Sequence, residues 1–242
     1  LLVFPHSHYC EKARWVLDYK NIPYEVVTIM PGAHMFTVRR YAKDSSVPVL
    51  LDGDMAIQGS SDIINYLEKK FPDKYLTPKD PALLKTCLSI EEQMDKRLGV
   101  NIRQILYAKL LDYPSYIRFC FTYPMPEYKK VIFSAMYPVL KKKIYKTYVK
   151  SDEKVAEAQL EFDEALDEVG VIIRKQPYLL GDTFTRADLS VASMLSLLVL
   201  PKEHPFPWGE RVIPDADIKA LHESYLDHPV AKWALDIYQK HR

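Results

Sequence analysis

The sequence predicts a small α/β domain followed by a larger all-α domain. Three observations lead to this fold class. A strand–helix–strand pattern opens the chain, two strands joined around Asp52-Gly53 follow it, and the chain after a proline-rich segment shows only helical periodicity. We place the two domains at residues 1–72 and 83–242. With 242 residues, 48% of them hydrophobic, the chain is long enough to form both cores.

The first elements are predicted from short apolar patterns. Residues 1–4 are apolar and end at a proline, which indicates a buried strand. Ala13, Val16 and Leu17 are spaced as one stripe of a helix. Residues 22–29, IPYEVVTI, are rich in residues typical of strands. A strand–helix–strand order implies that the two strands pair in parallel.

The rest of the first domain follows from turn and helix signals. A short helix is predicted over residues 36–41. The sequence VPVLLDGDMAI then reads as two strands, and its Asp52-Gly53 pair is typical of a hairpin turn. Ile63, Ile64 and Leu67 mark the next helix.

Residues 71–81, FPDKYLTPKDP, form a linker punctuated by prolines. Beyond it, apolar residues recur at helical spacing in two long stretches, one of them containing Met94, Leu98, Ile102 and Ile105 and the other Phe162, Leu166, Val169 and Ile173. Thr185 and Asp188 have the spacing of a capping box at a helix start.

Composition narrows the range of functions. The formal net charge is +1, which argues against nucleic acid or an anionic membrane as the main partner. Cys10, Cys87 and Cys120 match no disulfide framework, and no Cys/His tetrad has zinc spacing, so we expect a reducing, cytoplasmic location and no metal. No apolar run approaches membrane-spanning length.

The loop Ser7-His8-Tyr9-Cys10 has the spacing of a dithiol redox motif with serine in the first position. It lies between the first strand and the first helix, where unpaired helix N–H groups stabilise an anion. The Ser7 hydroxyl could therefore donate a hydrogen bond to a thiolate that belongs to a ligand. The alternative is that Ser7 only caps the helix.

Four segments resemble the cytosolic glutathione transferases. They are the SxxCxKxRWxL pattern from Ser7 to Leu17, VPVL at residues 47–50, GSSDIINYLE at residues 59–68 and QPYLLGDTFTRADLSVASML at residues 176–195. They occur in the order that this family shows and span most of the chain. The resemblance implies a thioredoxin-like N-terminal domain followed by an all-α domain, the glutathione transferase fold, with glutathione as co-substrate.

By this resemblance Ser7 is the catalytic residue and stabilises the glutathione thiolate. Pro48 matches a proline that is cis in this fold, so that the Val47 backbone pairs with the cysteine of glutathione. A proline at a strand edge is the alternative reading of Pro48.

Ser60 matches the serine that binds the γ-glutamyl carboxylate of glutathione, with Ser61 beside it. An N-cap without a ligand is the alternative for Ser60. The chain departs from the family at Gly59, where Glu or Gln is usual, and Gln58 lies one position early. Ser46 stands where many members have lysine, so the glutathione site lacks two expected side chains.

A second substrate is expected to be a small apolar electrophile. Tyr9, Cys10, Tyr107 and Tyr113 are candidates for its site, although core packing or dimer contacts would explain the tyrosines equally well. Cys10 either forms a glutathione adduct or packs as a small apolar residue. Three further aromatic candidates are Phe119, Tyr123 and Trp208.

The sequence is thus expected to encode a cytoplasmic, homodimeric glutathione transferase that binds neither nucleic acid nor membranes. Two alternatives remain open. One is a glutathione-dependent isomerase or dehalogenase of the same fold, and the other is a non-catalytic binding module.

Overall fold

A computed structural model describes residues 1–210 and 216–242. The N-terminal part forms, in order, β1 (Leu2–Val3), α1 (His8–Tyr19), β2 (Val27–Thr28), α2 (His34–Val38), β3 (Val49–Asp52), β4 (Met55–Gln58) and α3 (Ser60–Lys70). The predicted order of elements is confirmed. The first two strands are shorter than predicted, and α2 lies slightly earlier in the chain.

These strands form one four-stranded sheet in the order β2-β1-β3-β4. Strand β1 pairs in parallel with β2, as the strand–helix–strand pattern predicts, and antiparallel with β3. The β3–β4 hairpin is also confirmed, with Asp52 opposite Met55. Gly53 in its turn has φ +57°, a left-handed conformation that glycine adopts without steric cost.

The second part is helical. Its elements are α4 (Pro81–Met94), a π-helical segment (Asp95–Val100), α5 (Asn101–Leu110), α6 (Pro114–Thr122), α7 (Glu127–Ile144), a π-helical segment (Tyr145–Val149), α8 (Asp152–Ile173), α9 (Arg186–Val199), a 3₁₀ turn (Trp208–Glu210), α10 (Ala216–Leu226) and α11 (Pro229–His241). The described residues beyond Gln58 contain no strand, only an isolated bridge between Tyr178 and Gly181.

Helix α9 is the centre of the helical part, and α1 packs directly against it. The buried Trp15 of α1 donates its indole N–H to the His241 carbonyl of α11 at 2.8 Å. Arg242 forms an ion pair with Glu11 of α1 at 2.7 Å. The first helix is therefore held by the helical part, which fixes the loop that precedes it.

A buried ionic network crosses the boundary between the two parts. The Lys12 Nζ lies 2.7 Å from Glu91 Oε1 and 2.6 Å from Asp95 Oδ2. Arg186 of α9 lies 2.6 Å from Glu91 Oε2. Two cations thus oppose two carboxylates from α4 and the segment that follows it.

The predicted capping box at the start of α9 is confirmed. The Asp188 carboxylate accepts hydrogen bonds from the Thr185 N–H and hydroxyl, both at 2.8 Å. It also accepts from the Leu179 N–H at 2.7 Å. Asp188 is fully buried, so this carboxylate satisfies donors that water cannot reach.

Replacing Asp188 by Ala is therefore expected to lower the free energy of unfolding by about 2–3 kcal/mol, more than a simple cap, because buried donors are left unpaired. Urea denaturation measures the change. Asp182→Ala is the matched control, since Asp182 is exposed, and we expect less than about 0.5 kcal/mol there. Equal losses in the two variants would contradict this role of Asp188.

Candidate functional site

A cavity of about 240 Å³ lies between the first loop and the helical part. Its volume is just below the range of roughly 300–1,000 Å³ typical of small-molecule sites. The segment between β1 and α1, the start of α1, His34 of α2 and the loop before β3 form one side. The apolar side chains on the other side come from α5, α6, the end of α9 and α10, among them Leu106, Leu110, Ile117, Leu197 and Leu221.

Ser7 is the N-cap of α1 and borders this cavity. Its oxygen accepts a long hydrogen bond, 3.4 Å, from the Cys10 N–H. That contact uses a lone pair of the oxygen and leaves the O–H group as a donor. Ser7 therefore caps α1 and also borders the cavity, and its role toward a ligand thiolate stays a prediction.

The Val47–Pro48 peptide bond is cis, as the resemblance predicts. Val47 borders the same cavity as Ser7, and the Pro48 carbonyl accepts from the Gly59 N–H at 3.0 Å. This hydrogen bond ties the turn before β3 to the start of α3.

Ser60 and Ser61 begin α3, but they lie outside the cavity wall as described. Ser60 is 5% exposed. The Ser61 hydroxyl donates to Glu91 Oε1 at 2.8 Å and accepts from Lys12 Nζ at 3.1 Å. Ser61 is therefore part of the buried ionic network.

Gln58 supports the loop before the cis proline. Its amide donates to the Ser46 carbonyl at 2.8 Å and to the Asp44 carbonyl at 3.0 Å. Gly59 has φ +96°, in the region that disfavours residues with a Cβ, which gives a backbone reason for glycine at this position.

Tyr9 and Tyr107 border the cavity, and so does Trp208. The Tyr9 hydroxyl donates to the Asp95 carbonyl at 2.6 Å. Burial, together with the charge of Asp95, raises the pKa of Tyr9. Burial also raises the pKa of Tyr107. Both phenols stay protonated, so they shape the cavity and do not supply an anion.

Two predicted electrophile-site residues, Cys10 and Tyr113, are not among the described residues of the cavity wall. Cys10 points into the core and is 0% exposed. Burial raises the pKa of its thiol to about 11, despite hydrogen bonds to Ser7 and Phe4 that lower it. Tyr113 precedes α6 and packs with a second apolar cluster. The sequence spacing did not show that the Cys10 side chain enters the core.

Four histidines border the cavity, and no sequence pattern pointed to any of them. They are His6, His8, His34 and His222. Burial lowers the pKa of His6 to about 4 and that of His8 well below its usual range. His6 Nδ1 donates to the Cys120 carbonyl at 2.8 Å. His6 and His8 are therefore neutral near pH 7.

Arg103 is a further cavity residue that sequence reasoning missed. It lies on α5 with Leu106, Tyr107 and Leu110, at spacings i, i+3, i+4 and i+7, and all four border the cavity. A lone arginine in an otherwise apolar helical stripe is the signal that could have identified it.

Within the described ranges, 1–210 and 216–242, no three or more His, Cys, Asp or Glu side chains are grouped to hold a metal ion. Over the same residues, none of the helices combines the length and apolarity needed to cross a bilayer.

Family models match both parts of the chain. The model of the glutathione S-transferase N-terminal domain matches residues 1–75, and that of the C-terminal domain matches residues 152–222. Among curated proteins, the stringent starvation protein A homolog of Haemophilus ducreyi is 32% identical over 75 residues. That match covers 31% of this chain and 35% of the relative, so about a third of the relative's length is compared.

Solved structures extend the similarity to the whole chain. The glutathione transferase GSTFuA3 of Phanerochaete chrysosporium is 16% identical with a TM-score of 0.68, covering 100% of this chain and 96% of its own. A glutathione S-transferase of Methylobacterium radiotolerans in complex with glutathione sulfonate is 20% identical, with a TM-score of 0.59 and coverage of 97% and 93%. At such identities these structures show the fold alone.

The enzyme of Methylobacillus flagellatus with glutathione bound is 16% identical, with a TM-score of 0.58 and coverage of 97% of both chains. The two family models together match more than half of the chain, and the four-stranded mixed sheet followed by helices is the fold of these structures. This chain belongs to the glutathione transferase family.

Proposed function

We propose that this protein conjugates the thiolate of glutathione to a small apolar electrophile and that Ser7 stabilises the thiolate. The observation that carries the proposal is the position of Ser7 and Val47 on one cavity whose opposite wall contains mostly apolar side chains. A thiol ligand that pairs with the Val47 backbone would bring its sulfur to the Ser7 hydroxyl. Relatives of the same fold have glutathione or glutathione sulfonate bound, which supports glutathione as the thiol.

The chemistry requires a thiolate at neutral pH. A free thiol has a pKa of roughly 8.5, and a hydroxyl donor at a helix N-terminus lowers it. Ser7 supplies the donor and α1 supplies the helix start. The sulfur then attacks an electrophilic carbon, a C–S bond forms, and the leaving group departs with the electron pair of the broken bond. Proximity in the cavity accelerates this step.

Ser7→Ala is expected to lower kcat/KM for chlorodinitrobenzene by about 10- to 100-fold near neutral pH, because less of the bound glutathione is ionised. The deficit should shrink as the pH approaches roughly 9, where glutathione ionises without help. A pH series of initial rates measures both effects. Wild-type rates in the variant at neutral pH would remove Ser7 from the mechanism.

Ser151→Ala is the matched control. Ser151 caps α8 through a hydrogen bond from the Lys154 N–H at 3.4 Å, the same length as the cap at Ser7. Both variants lose a cap worth roughly 1 kcal/mol. Only Ser7→Ala should lose conjugation activity. A similar loss of activity in both variants would mean that loss of the cap, and not loss of a catalytic hydroxyl, lowers the rate.

A non-catalytic binding module is a second candidate function. The Ser61 hydroxyl and the Gln58 amide are engaged with protein groups, and Gly59 has no side chain to offer glutathione. Calorimetry with millimolar glutathione distinguishes the two candidates. Absence of binding heat would favour the binding module. If glutathione binds, turnover measured with a panel of electrophiles would separate conjugation from isomerisation or dehalogenation.

We also propose that the protein is a homodimer. Leu83 and Leu88 of α4 are 45% and 39% exposed, and Leu160 of α8 is 67% exposed. Large apolar side chains at the surface support a protein contact there. Sedimentation velocity tests the proposal, and a monomer at micromolar concentration would refute it.

A further inference from the structure

Arg103 brings a permanent positive charge to the helical side of the cavity. The described residues that border the cavity include no Asp, Glu or Lys. His6 and His8 add no charge near neutral pH, since burial lowers the pKa of His6 to about 4 and that of His8 well below its usual value. The guanidinium group is charged at any pH the protein meets. This wall therefore carries a net positive charge.

That charge has no counter-ion in the part of the chain that the structure describes. There, no hydrogen bond or ion pair reaches the Arg103 guanidinium, and its Nε is buried without a partner. Arg186 and Arg242, by contrast, have carboxylate partners, Glu91 at 2.6 Å and Glu11 at 2.7 Å. Arg14 also has a buried Nε without a partner, but Arg14 does not border the cavity. A buried polar group without a partner is unfavourable, and such groups are concentrated at functional sites.

The side chain of Arg103 is nevertheless held in place. Its guanidinium carbon lies 4.4 Å from the ring centroid of Tyr148, which also borders the cavity. The Tyr148 ring in turn lies 5.8 Å from the ring of Tyr107. Stacking covers a face of the guanidinium and leaves its N–H groups for a ligand.

The charge acts on both sides of the cavity. It contributes to the lowered pKa of His8 on the α1 side, and it offsets part of the rise in the pKa of Tyr107 on α5. Ser7 and Val47 lie on the side formed by the thioredoxin-like part, whereas Arg103 lies on α5, on the helical side of the cavity.

We propose that Arg103 binds a carboxylate on the electrophile, so that the second substrate is a small apolar molecule with one anionic group. A planar carboxylate matches the fork of guanidinium N–H groups and can accept two hydrogen bonds at once. The apolar side chains around it, Leu106 and Leu110 among them, receive the remainder of the molecule. That the ligand is an electrophile rests on the proposed conjugation activity. The carboxylate site itself can be tested without turnover.

The binding test uses dinitrobenzoate, which has no leaving group, and its methyl ester. Calorimetry is run on the full chain with glutathione present. Wild type is expected to bind the acid at least about tenfold more tightly than the ester. Arg103→Gln should weaken binding of the acid by about 10- to 100-fold and that of the ester by less than about threefold. The affinity of Arg103→Lys for the acid should lie between those of the wild type and Arg103→Gln, since lysine keeps the charge and loses the fork of N–H groups.

Arg97→Gln is the matched control. Arg97 lies on the preceding π-helical segment and pairs with Glu168 at 2.5 Å, outside the described cavity wall. Its substitution should leave both affinities unchanged. Thermal unfolding of each variant verifies that it is folded.

The turnover test compares chlorodinitrobenzoate with its methyl ester. Arg103→Gln should raise KM for the acid and leave the KM for glutathione unchanged. Three outcomes would overturn the proposal. In Arg103→Gln, kcat/KM could fall equally for the acid and the ester, or the KM for glutathione could rise while the ratio of the rates with acid and ester stays constant. The third outcome is a wild-type protein that does not prefer the acid. Binding of dinitrobenzoate through Arg103 without conjugation of either substrate would leave the carboxylate site intact and refute the proposed activity instead.

Discussion

Replacing Lys12 by Met is expected to lower the free energy of unfolding by about 3–5 kcal/mol, because the substitution leaves a buried negative charge uncompensated. The Lys12 side chain is 0% exposed, and its ammonium group lies within 2.7 Å of both Glu91 and Asp95. Burial alone would raise the pKa of Glu91, but the charges of Lys12 and Arg186 hold it below its usual value.

The same substitution at Lys96 is the control. Lys96 pairs with Glu92 at 2.6 Å, but both side chains are 70% exposed, so Lys96→Met should change the stability by less than about 0.5 kcal/mol. Urea denaturation of the two variants gives the comparison. A loss below about 1 kcal/mol in Lys12→Met would mean that water reaches the network.

A double variant tests the charge balance itself. Asp95→Asn combined with Lys12→Met removes one charge of each sign and leaves Glu91 paired with Arg186. We expect the double variant to be more stable than Lys12→Met alone, with a coupling energy of about 1–3 kcal/mol. Strictly additive losses would show that packing, not charge, makes Lys12 important.

The second large effect is a loss of stability in mild acid. Burial lowers the pKa of both His6 and His204 to about 4. An unfolded histidine binds a proton near pH 6.5, so between roughly pH 6.5 and 4 the unfolded state binds more protons than the folded state. Stability is therefore complete above this window and falls as the pH is lowered through it.

Each of these two histidines is expected to contribute about 2 kcal/mol to the loss between about pH 7 and pH 5. Urea denaturation at several pH values gives the slope. His6→Asn preserves a donor to the Cys120 carbonyl and should reduce the slope, as should His204→Asn. Gln93→Asn is the control, because it removes no titratable group from an exposed position, and it should keep the slope of the parent. An unchanged slope in His6→Asn would contradict the burial of a neutral imidazole there.

Local signals predicted much of the fold. The Asp52-Gly53 turn, the helix start at Ser7 and the Thr185–Asp188 capping box each depend on residues only a few positions apart, and the structure contains all three. The family resemblance added the cis proline at Pro48. Features of this kind can be predicted from a sequence because the interacting groups lie close together along the chain.

The contacts at the boundary between the two parts could not be predicted in this way. Lys12 meets Glu91 and Asp95 across many residues of sequence, and no local pattern marks the three as partners. Ser7 caps α1 and Cys10 lies in the first turn of that helix, yet the Cys10 side chain enters the core while Ser7 borders the cavity. The direction of each depends on how α1 sits against α9.

The sequence alone determined the order of elements, the two-part architecture and the hydroxyl at the first position of the loop. Tertiary structure decided which face of α5 meets that loop, and with it the position of Arg103 among Leu106, Tyr107 and Leu110. Helical spacing places these four residues on one stripe. Only the packing of the helical part against the sheet orients that stripe toward the cavity. The periodicity of a helix shows which residues share a face but not which neighbour that face contacts.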